Sequence, residues 1–336
     1  MRIALIHSEL DNLPEKVSRV NPYGPTQMGK TIKTLTRALV NGGHEVFPVA
    51  ANLQMLENVM KIGDVDVIFC HYMPMLDLNN QGNVFAALEL LGIPMVGSGM
   101  YPQAVSLSKE TTKLVLKDLG IPTAPSQIFF TGDEELKPEL KDRFPLFVKP
   151  ESEAQSVGVE KDSLVNNEEE LRASIARILK IVKPPIIVEE YLPGREFTIG
   201  VLDLDPPIAL PVFEFLFEDE DDVKFQSVER KAKGDIKTQC PADIPDELRD
   251  EMQRIAIDAF RAIRAKGYFR VDFRIDRDGK AQVIEVNIMP GLEEDKSFFN
   301  KAALVAGIEY DDLINMLVDI AYKKDQRNRD FETGHF

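Results

Sequence analysis

The sequence predicts an α/β fold, and three observations carry that reading. Over the first hundred residues, short apolar runs of strand length alternate with segments of helical spacing, the pattern of a small parallel sheet flanked by helices. Further along, two strand-like runs, Phe269–Ile275 and Gln282–Val286, are joined by the turn DRDG (Asp276–Gly279), which adds an antiparallel hairpin. With 336 residues, 44% hydrophobic and 29% charged, the chain can build two or three domains with cores of their own.

The elements follow in order. Arg2–His7 reads as a buried strand. Thr26–Asn41 has helical spacing through Ile32, Leu35 and Leu39, and Gly42–Gly43 stops it. Glu45–Ala50 is a strand, Leu53–Ile62 a helix, Val67–Cys70 a strand, Val84–Leu91 a helix and Pro94–Val96 a strand. Ligands of such sheets sit at the C-terminal ends of the strands. A second block, from about Ser106, holds a helix at Ser108–Leu119, strands at Phe147–Lys149 and Val157–Glu160, a helix at Leu171–Ile181 and an apolar strand at Ile186–Glu190. A third has strands at Glu196–Leu202 and Ile208–Glu214, a helix at Asp246–Lys266 and then the hairpin. Helices at Phe298–Ala306 and Tyr310–Lys323 close the chain, and the polar tail beyond Lys324 is expected to fray. The expected units are 1–102, 103–190 and 191–328, with a tail at 329–336.

Composition narrows the function. Forty Lys and Arg against 56 Asp and Glu give a formal net charge of −16, and no basic block occurs, so nucleic acid is not an expected partner. The run EDEDD (Glu218–Asp222) reads as a solvated loop. Cys70 and Cys240 belong to no metal or disulfide pattern, and four histidines are too scattered for a metal cluster. Neither a signal-peptide core nor a bilayer-length apolar run is present, which points to a cytoplasmic enzyme with no membrane partner.

The chemistry concentrates in VIEVNIMPG (Val283–Gly291). Alternate strand residues face the same way, so Glu285 and Asn287 point together as hard oxygen ligands suited to magnesium. The hairpin turn brings Asp272 of RVDF (Arg270–Phe273) near Glu285. Three oxygen ligands and an arginine on adjacent strands suit a magnesium–phosphate site. A solvated polar strand face is the competing reading, but both strands are otherwise apolar, and burying two unpaired carboxylates is costly. Lys149 ends the strand PLFVK beside the small polar loop ESEAQSVG (Glu151–Gly158), which can lay N–H groups over phosphates. Lys109 opens a helix and alone reads as an exposed lysine. In VEEYLPGREF (Val188–Phe197) an apolar strand runs into a Pro-Gly elbow.

The order of these stretches resembles a known family. VEEYLPGREFTIGVL, RVDFRID, and EVNIMPG followed by KAALVAGIEYDDLI look like the D-alanine–D-alanine ligase family of ATP-grasp enzymes, as do ALELLGIPMVGSG (Ala87–Gly99) and LGIPTAPS (Leu119–Ser126). The similarity runs from about Gly42 to Lys323. It implies an ATP-grasp fold, with an N-terminal Rossmann-like pre-ATP-grasp domain and two α+β subdomains clasping ATP. It also implies roles. Lys109, Lys149 and Lys231 would contact ATP phosphates. Glu189, Glu190, Tyr191 and Leu192 would line the adenine, Phe225 would stack on it, Glu196 would hold the ribose, and Ile284 would be a further ATP contact. Asp272, Glu285 and Asn287 would bind two magnesium ions, with manganese an alternative. Arg270 and the Gly291 N–H would stabilise an oxyanion, a contribution of about 3 kcal/mol per donor, with Ser156 of the phosphate loop beside them. The implied reaction activates one amino acid's carboxylate as an acyl phosphate and joins it to the amine of a second. Family members commonly form homodimers.

The departures from the family pattern lie in the amino-acid pockets. His71–Gly82 reads HYMPMLDLNNQG, so His71 is kept while Met75 and Leu76 replace a Gly-Glu pair. Gln155 replaces the first of two loop serines. Leu292–Phe299 reads LEEDKSFF, where Ser297 and Lys296 could bind a carboxylate and Glu293, Glu294 and Asp295 are unexpected. Gly24 stands where the family offers a glutamate to the first substrate, so Glu9 or Glu15 would replace it. The expectation is therefore a ligase of amino acids or short peptides whose substrates are not simply two D-alanines. An authentic D-alanine–D-alanine ligase and a non-catalytic ATP-binding regulator are the alternatives. GPTQMGKT (Gly24–Thr31) fits the P-loop spelling, but the preceding strand ends near His7 and no Walker-type Asp follows, so it reads as a chance match.

Overall fold

The computed structural model describes residues 1–8, 24–72, 79–152, 158–217 and 237–333. A parallel sheet forms first, from β1 (Arg2–His7), β2 (Glu45–Ala50), β3 (Val67–His71) and β4 (Met95–Val96), in the order β2-β1-β3-β4. The central strands β1 and β3 bury both faces, as expected of a parallel sheet flanked by helices. On one side Ala4, Ile6 and Ile68 pack with Met55 and Val59 of α2 (Met55–Ile62) and Phe85 and Leu88 of α3 (Asn79–Glu89). On the other, Ile3, Leu5 and Phe69 meet Leu35 and Leu39 of α1 (Gly24–Asn41). Leu313 and Leu317 of the C-terminal helix α10 (Tyr310–Thr333) join that layer.

After α4 (Met100–Leu107) and α5 (Lys109–Asp118) comes an antiparallel sheet of β5 (Ser126–Phe129), β6 (Leu146–Pro150), β7 (Leu164–Val165) and β8 (Ile186–Glu190), in the order β5-β8-β6-β7. A short helix, α6 (Pro138–Lys141), and α7 (Glu168–Ile178) lie within this block; Leu171, Ile175 and Ile178 of α7 cover Leu146, Val148 and Val188. Each such side chain, fully buried, contributes about 1.5–3 kcal/mol.

The third sheet holds β9 (Glu196–Leu202), β10 (Ile208–Ala209), β11 (Phe213–Leu216), β12 (Lys237–Gln239), β13 (Tyr268–Ile275) and β14 (Ala281–Asn287). Its order is β12-β11-β9-β13-β14, with β10 beside β9. Phe197, Ile199, Val201, Phe269, Val271 and Phe273 turn to α8 (Asp246–Ala262), burying against Met252, Ile255 and Ala259. Alternation then sends Glu196, Thr198, Arg270, Asp272 and Arg274 to the opposite face. Val105, Leu116 and Ile121 join this third core, so α4 and α5 lean on the sheet that carries the hairpin. Helix α9 (Phe298–Val305) also packs against β9, where a Cβ on Gly200 would come within 2.7 Å of the Phe299 ring.

Several expectations need correction. No strand occupies Gly158–Glu160: Gly158 is left-handed (φ 74°) and Glu160 and Ser163 cap a 3-10 turn at Lys161–Ser163, so pairing resumes only at β7. The single strand expected at Ile208–Glu214 is split around Pro211, which has no N–H for a ladder. The chain beyond Lys324 is helical to Thr333, because Lys324 pairs with Asp203 and Arg327 with Asp205 at 2.8 Å. The P-loop spelling at Gly24–Thr31, by contrast, lies inside α1 with Thr31 buried, as its reading as a chance match expects. Among the described residues, no helix is long and apolar enough to cross a membrane.

Candidate active site

The hairpin β13–β14 sets the acidic end of the site. Asp272 lies opposite Glu285, and Arg270 opposite Asn287. The register shifts between Asp272 and Phe273, so Ile284 is an extra residue on β14. This bulge lets Val283 stay in the core while Glu285 and Asn287, two positions apart, turn to the other face. Asp272 accepts from Arg270 Nε and Nη2 at 2.9 Å each, from Thr198 Oγ1 at 2.5 Å and from Asn287 Nδ2 at 3.1 Å. Burial opposes the charge on Arg270, but Asp272 and Glu285 hold its pKa above the usual guanidinium value. Two carboxylates and an amide on one strand face fit a hard divalent cation. The Asn287 amide nitrogen is spent on Asp272, which leaves Oδ1 as its acceptor atom.

Three lysines supply the opposite charge. Lys109 begins α5, and its Nζ donates to the Glu151 carbonyl at 3.2 Å. Ser108 caps that helix by accepting from Thr111 N at 3.0 Å, and donates to the buried Glu151 carboxylate, which also accepts from Glu110 N. Glu151 thus ties the end of β6 to the start of α5. Lys149 points from β6 to Glu189 on β8, with 2.5 Å between Nζ and Oε1. Lys113, one helical turn beyond Lys109, lies 3.0 Å from Glu189 Oε2 and donates to Thr123 Oγ1 and Ala124 O, also at 3.0 Å. Burial lowers the pKa of Lys109 and Lys113. Burial raises that of Glu189, but Lys113 and Lys149 outweigh it and pull the carboxyl down to about 2. A narrow void between α5 and β14 is lined by Lys109, Lys113, Thr123, Ile284 and Glu285, linking the lysines to the hairpin.

The elbow after β8 makes a third side. Glu190 is held by Arg143 at 2.5 Å, Tyr191 stacks near Phe147 with ring centres 6.3 Å apart, and Leu192 is buried. Gly194 lets the Pro-Gly turn close on β13, since a Cβ there would come within 2.6 Å of the Ile275 carbonyl. Glu196, buried on β9, faces Arg274 across the ladder at 3.7 Å. Arg274 also lies under the Tyr191 ring at 5.0 Å and donates to Gly194 O at 3.1 Å.

The other predicted residues are more dispersed. His71 ends β3, level with His7 of β1, and burial lowers its pKa to about 4, so the ring is neutral. Gly24 is the first residue of α1. Ser297 caps α9, accepting from Asn300 N at 3.3 Å and donating to Gly291 O. Lys296 is two-thirds exposed and 3.8 Å from Glu293. Glu294 is bound by Arg37 of α1 through two hydrogen bonds, of 2.7 and 3.0 Å, which accounts for one of the unexpected charges after Gly291. Arg37 also meets Asp311 at 3.1 Å, so the 291–297 loop is tied to both α1 and α10. Ser156, Phe225, Lys231, Met75, Leu76, Gln155, Glu9 and Glu15 lie outside the described residues.

Sequence reading missed Lys113, Arg143, Glu151 and Arg274. Two of them carried a signal. Lys113 is four residues from Lys109 and shares its helix face, and Arg274 is two residues from Asp272 and shares its strand face. A roomier groove of about 500 Å³, lined by Pro207, Ile208, Arg254 and Asp258, lies between β10 and α8, away from these residues.

Known proteins resemble the chain in sequence and in fold. A family model described as the D-ala D-ala ligase C-terminus matches residues 115–319. A D-alanine–D-alanine ligase of Desulfotalea psychrophila is 35% identical over 250 residues, 72% of this chain and 74% of that one. One from Deinococcus radiodurans is 31% identical over 333 residues, 96% of this chain and 91% of that one. A crystal structure of the Bacillus anthracis D-alanine–D-alanine ligase complexed with ATP shares the fold at a TM-score of 0.74 and 24% identity, covering 98% of this chain and 99% of that one.

Proposed function

The chain belongs to the D-alanine–D-alanine ligase family and is an ATP-dependent, peptide-forming ligase, and from that premise we propose how the site works and on what. The single observation behind the residue roles is that Lys109 and Lys113 border Glu285 in one void, with Lys149 joined to Lys113 through Glu189 and with Arg270, Asp272 and Asn287 beside Glu285 on the hairpin. Lys109 and Lys149 neutralise the triphosphate. Glu190 to Leu192, with Ile284, border the adenine, and Glu196 accepts from the ribose hydroxyls. The Glu189 side chain, engaged by two lysines, acts on the phosphate side. Asp272, Glu285 and Asn287 hold magnesium, which, when bound, offsets the charge of the transferring phosphoryl group. The carboxylate oxygen of the first amino acid bonds to the γ-phosphorus as the bond to ADP breaks. The amine of the second then attacks the acyl carbon, and phosphate leaves with the electron pair of the broken C–O bond. Arg270 and the Gly291 N–H receive the oxyanion formed between these steps. Neutral His71 serves the first amino acid as a hydrogen-bonding group without adding charge.

The relatives are named for D-alanine at both positions, and we take D-alanine as the substrate pair to test first. The relatives lend no support to the expectation that the pair differs, and Glu294, one of the residues behind it, is engaged by Arg37. Met75 and Leu76 on the side of the first amino acid and Glu293 on the side of the second keep a different substrate pair as the other reading. Phosphate release with magnesium and ATP, over a panel of D- and L-amino acids, decides between them, with the dipeptide identified by mass. Turnover with D-alanine alone supports the first reading. Turnover only with another pair supports the second, and no turnover with any pair overturns both. A homodimer belongs to the same reading and is checked by sedimentation.

A further inference from the structure

Lys113 has no role in the reaction outlined above, yet it is among the most completely satisfied charges in the protein. It is 5% exposed, and its ammonium meets Thr123 Oγ1, Ala124 O and Glu189 Oε2, each at 3.0 Å. Thr123 Oγ1 in turn donates to Val283 O at 2.9 Å, and Val283 N donates to Pro122 O at 2.9 Å. Lys113 therefore stands where α5, the end of β8 and the start of the metal-ligand stretch of β14 meet. A buried cation here is costly unless paired, so its presence calls for an explanation.

Charge supplies one. Glu189 lies between Lys113 and Lys149, one carboxylate oxygen toward each. With both lysines present, the triad carries a net charge of +1. Without Lys113, Glu189 and Lys149 form a neutral pair, and the buried carboxylate would compete with a triphosphate for the Lys149 ammonium. We propose that Lys113 is a positioning residue, a counter-charge that neutralises Glu189 so that Lys149 remains free to bind the phosphates of ATP. The inference rests on the reading of Lys149 as a phosphate contact. Burial and the Lys149 charge push the Lys113 ammonium toward neutrality, and the Glu189 carboxylate opposes this. Lys113 and Lys109 lie on one helix face, so one turn of α5 presents a lysine to the phosphates and, deeper, a lysine to the carboxylate that would otherwise disable Lys149.

Removing and then restoring the balance tests this. ATP dissociation constants are measured by calorimetry for the whole chain and for Lys149→Met, Lys113→Gln and Lys113→Gln with Glu189→Gln. Lys149→Met and Lys113→Gln are each expected to weaken ATP about tenfold, equivalent to about 1.4 kcal/mol. The double variant, with no carboxylate left to neutralise, is expected to bind ATP more tightly than Lys113→Gln alone. Wild-type affinity in Lys113→Gln, beside a weakened Lys149→Met, overturns the inference and leaves the ATP site standing. A double variant no tighter than Lys113→Gln overturns it too, since the loss of affinity would then not run through the Glu189 charge. Wild-type affinity in Lys149→Met overturns the phosphate reading itself. Should Lys113→Gln fail to fold, Lys113→Met, with a melting curve, carries the same comparison.

Discussion

Arg270 grips Asp272 through two parallel hydrogen bonds of 2.9 Å, so an intended metal ligand is held by the arginine that should meet the reaction's oxyanion. The same carboxylate receives Thr198 and Asn287. The part-buried Asp272 carboxylate is thus balanced by a guanidinium two residues away on its own strand.

Replacing Asp272 with Asn removes both the metal ligand and the partner of Arg270. Magnesium-dependent phosphate release is expected to fall by at least about 10²-fold, in line with the loss of an electrostatic stabiliser. The metal-free protein should also lose about 3 kcal/mol of stability, the order seen when one partner of a buried pair is removed. Urea melts without magnesium measure the second effect, and an unchanged midpoint would contradict the pairing described here.

His71 sets a pH dependence. Its folded pKa, about 4, lies below the unfolded value of 6.5, so the unfolded chain binds the extra proton first. Stability is complete above pH 6.5 and falls as the pH drops toward 4, by on the order of 3 kcal/mol. A His71→Asn variant should lose less stability than the wild type over that window in parallel denaturation curves at pH 7 and 4.5.

Ser297 separates two roles. As the cap of α9 it accepts from Asn300 N, and Ser297→Ala should cost about 1 kcal/mol. Ser297→Asp restores the cap but places a charge where a substrate carboxylate would bind. Near wild-type stability with a KM for the second amino acid raised by about tenfold or more is the expected split; an unchanged KM would confine Ser297 to the cap.

Gly200 tests packing behind the site. A Cβ there would meet Phe299 at 2.7 Å and Leu210 at 2.8 Å, with a ring on one side and a core side chain on the other. Gly200→Ala should destabilise by about 1–3 kcal/mol, measured by chemical denaturation.

How much of this was legible depends on where each residue's partner lies. The β13–β14 hairpin was readable because its alternation and its DRDG turn are local. Helix α4 was not, since Gly99 offers no capping side chain and Met100 N finds Glu89 Oε1, eleven residues earlier. Glu294 looked like a pocket charge because its partner, Arg37, is 257 positions away. Lys113 shares a helix face with Lys109, but its contact with Glu189 arises only in the fold. The helical tail was missed because Asp203 and Asp205, which hold it, belong to a turn far upstream.

The extra residue at Ile284 has an evolutionary consequence. Val283 and Glu285 would share a face in an unbroken strand, and the bulge assigns them to opposite ones. Straightening the bulge with Ile284 kept would pair it with Asp272 and swing Glu285 and Asn287 into the hydrophobic interior, whereas losing Ile284 itself would leave Val283, Glu285 and Asn287 on their present faces. Point substitutions can drift along this hairpin, and its length can change at Ile284, but one residue gained or lost between Glu285 and Asn287 would put the two on opposite faces even where both are spelled correctly.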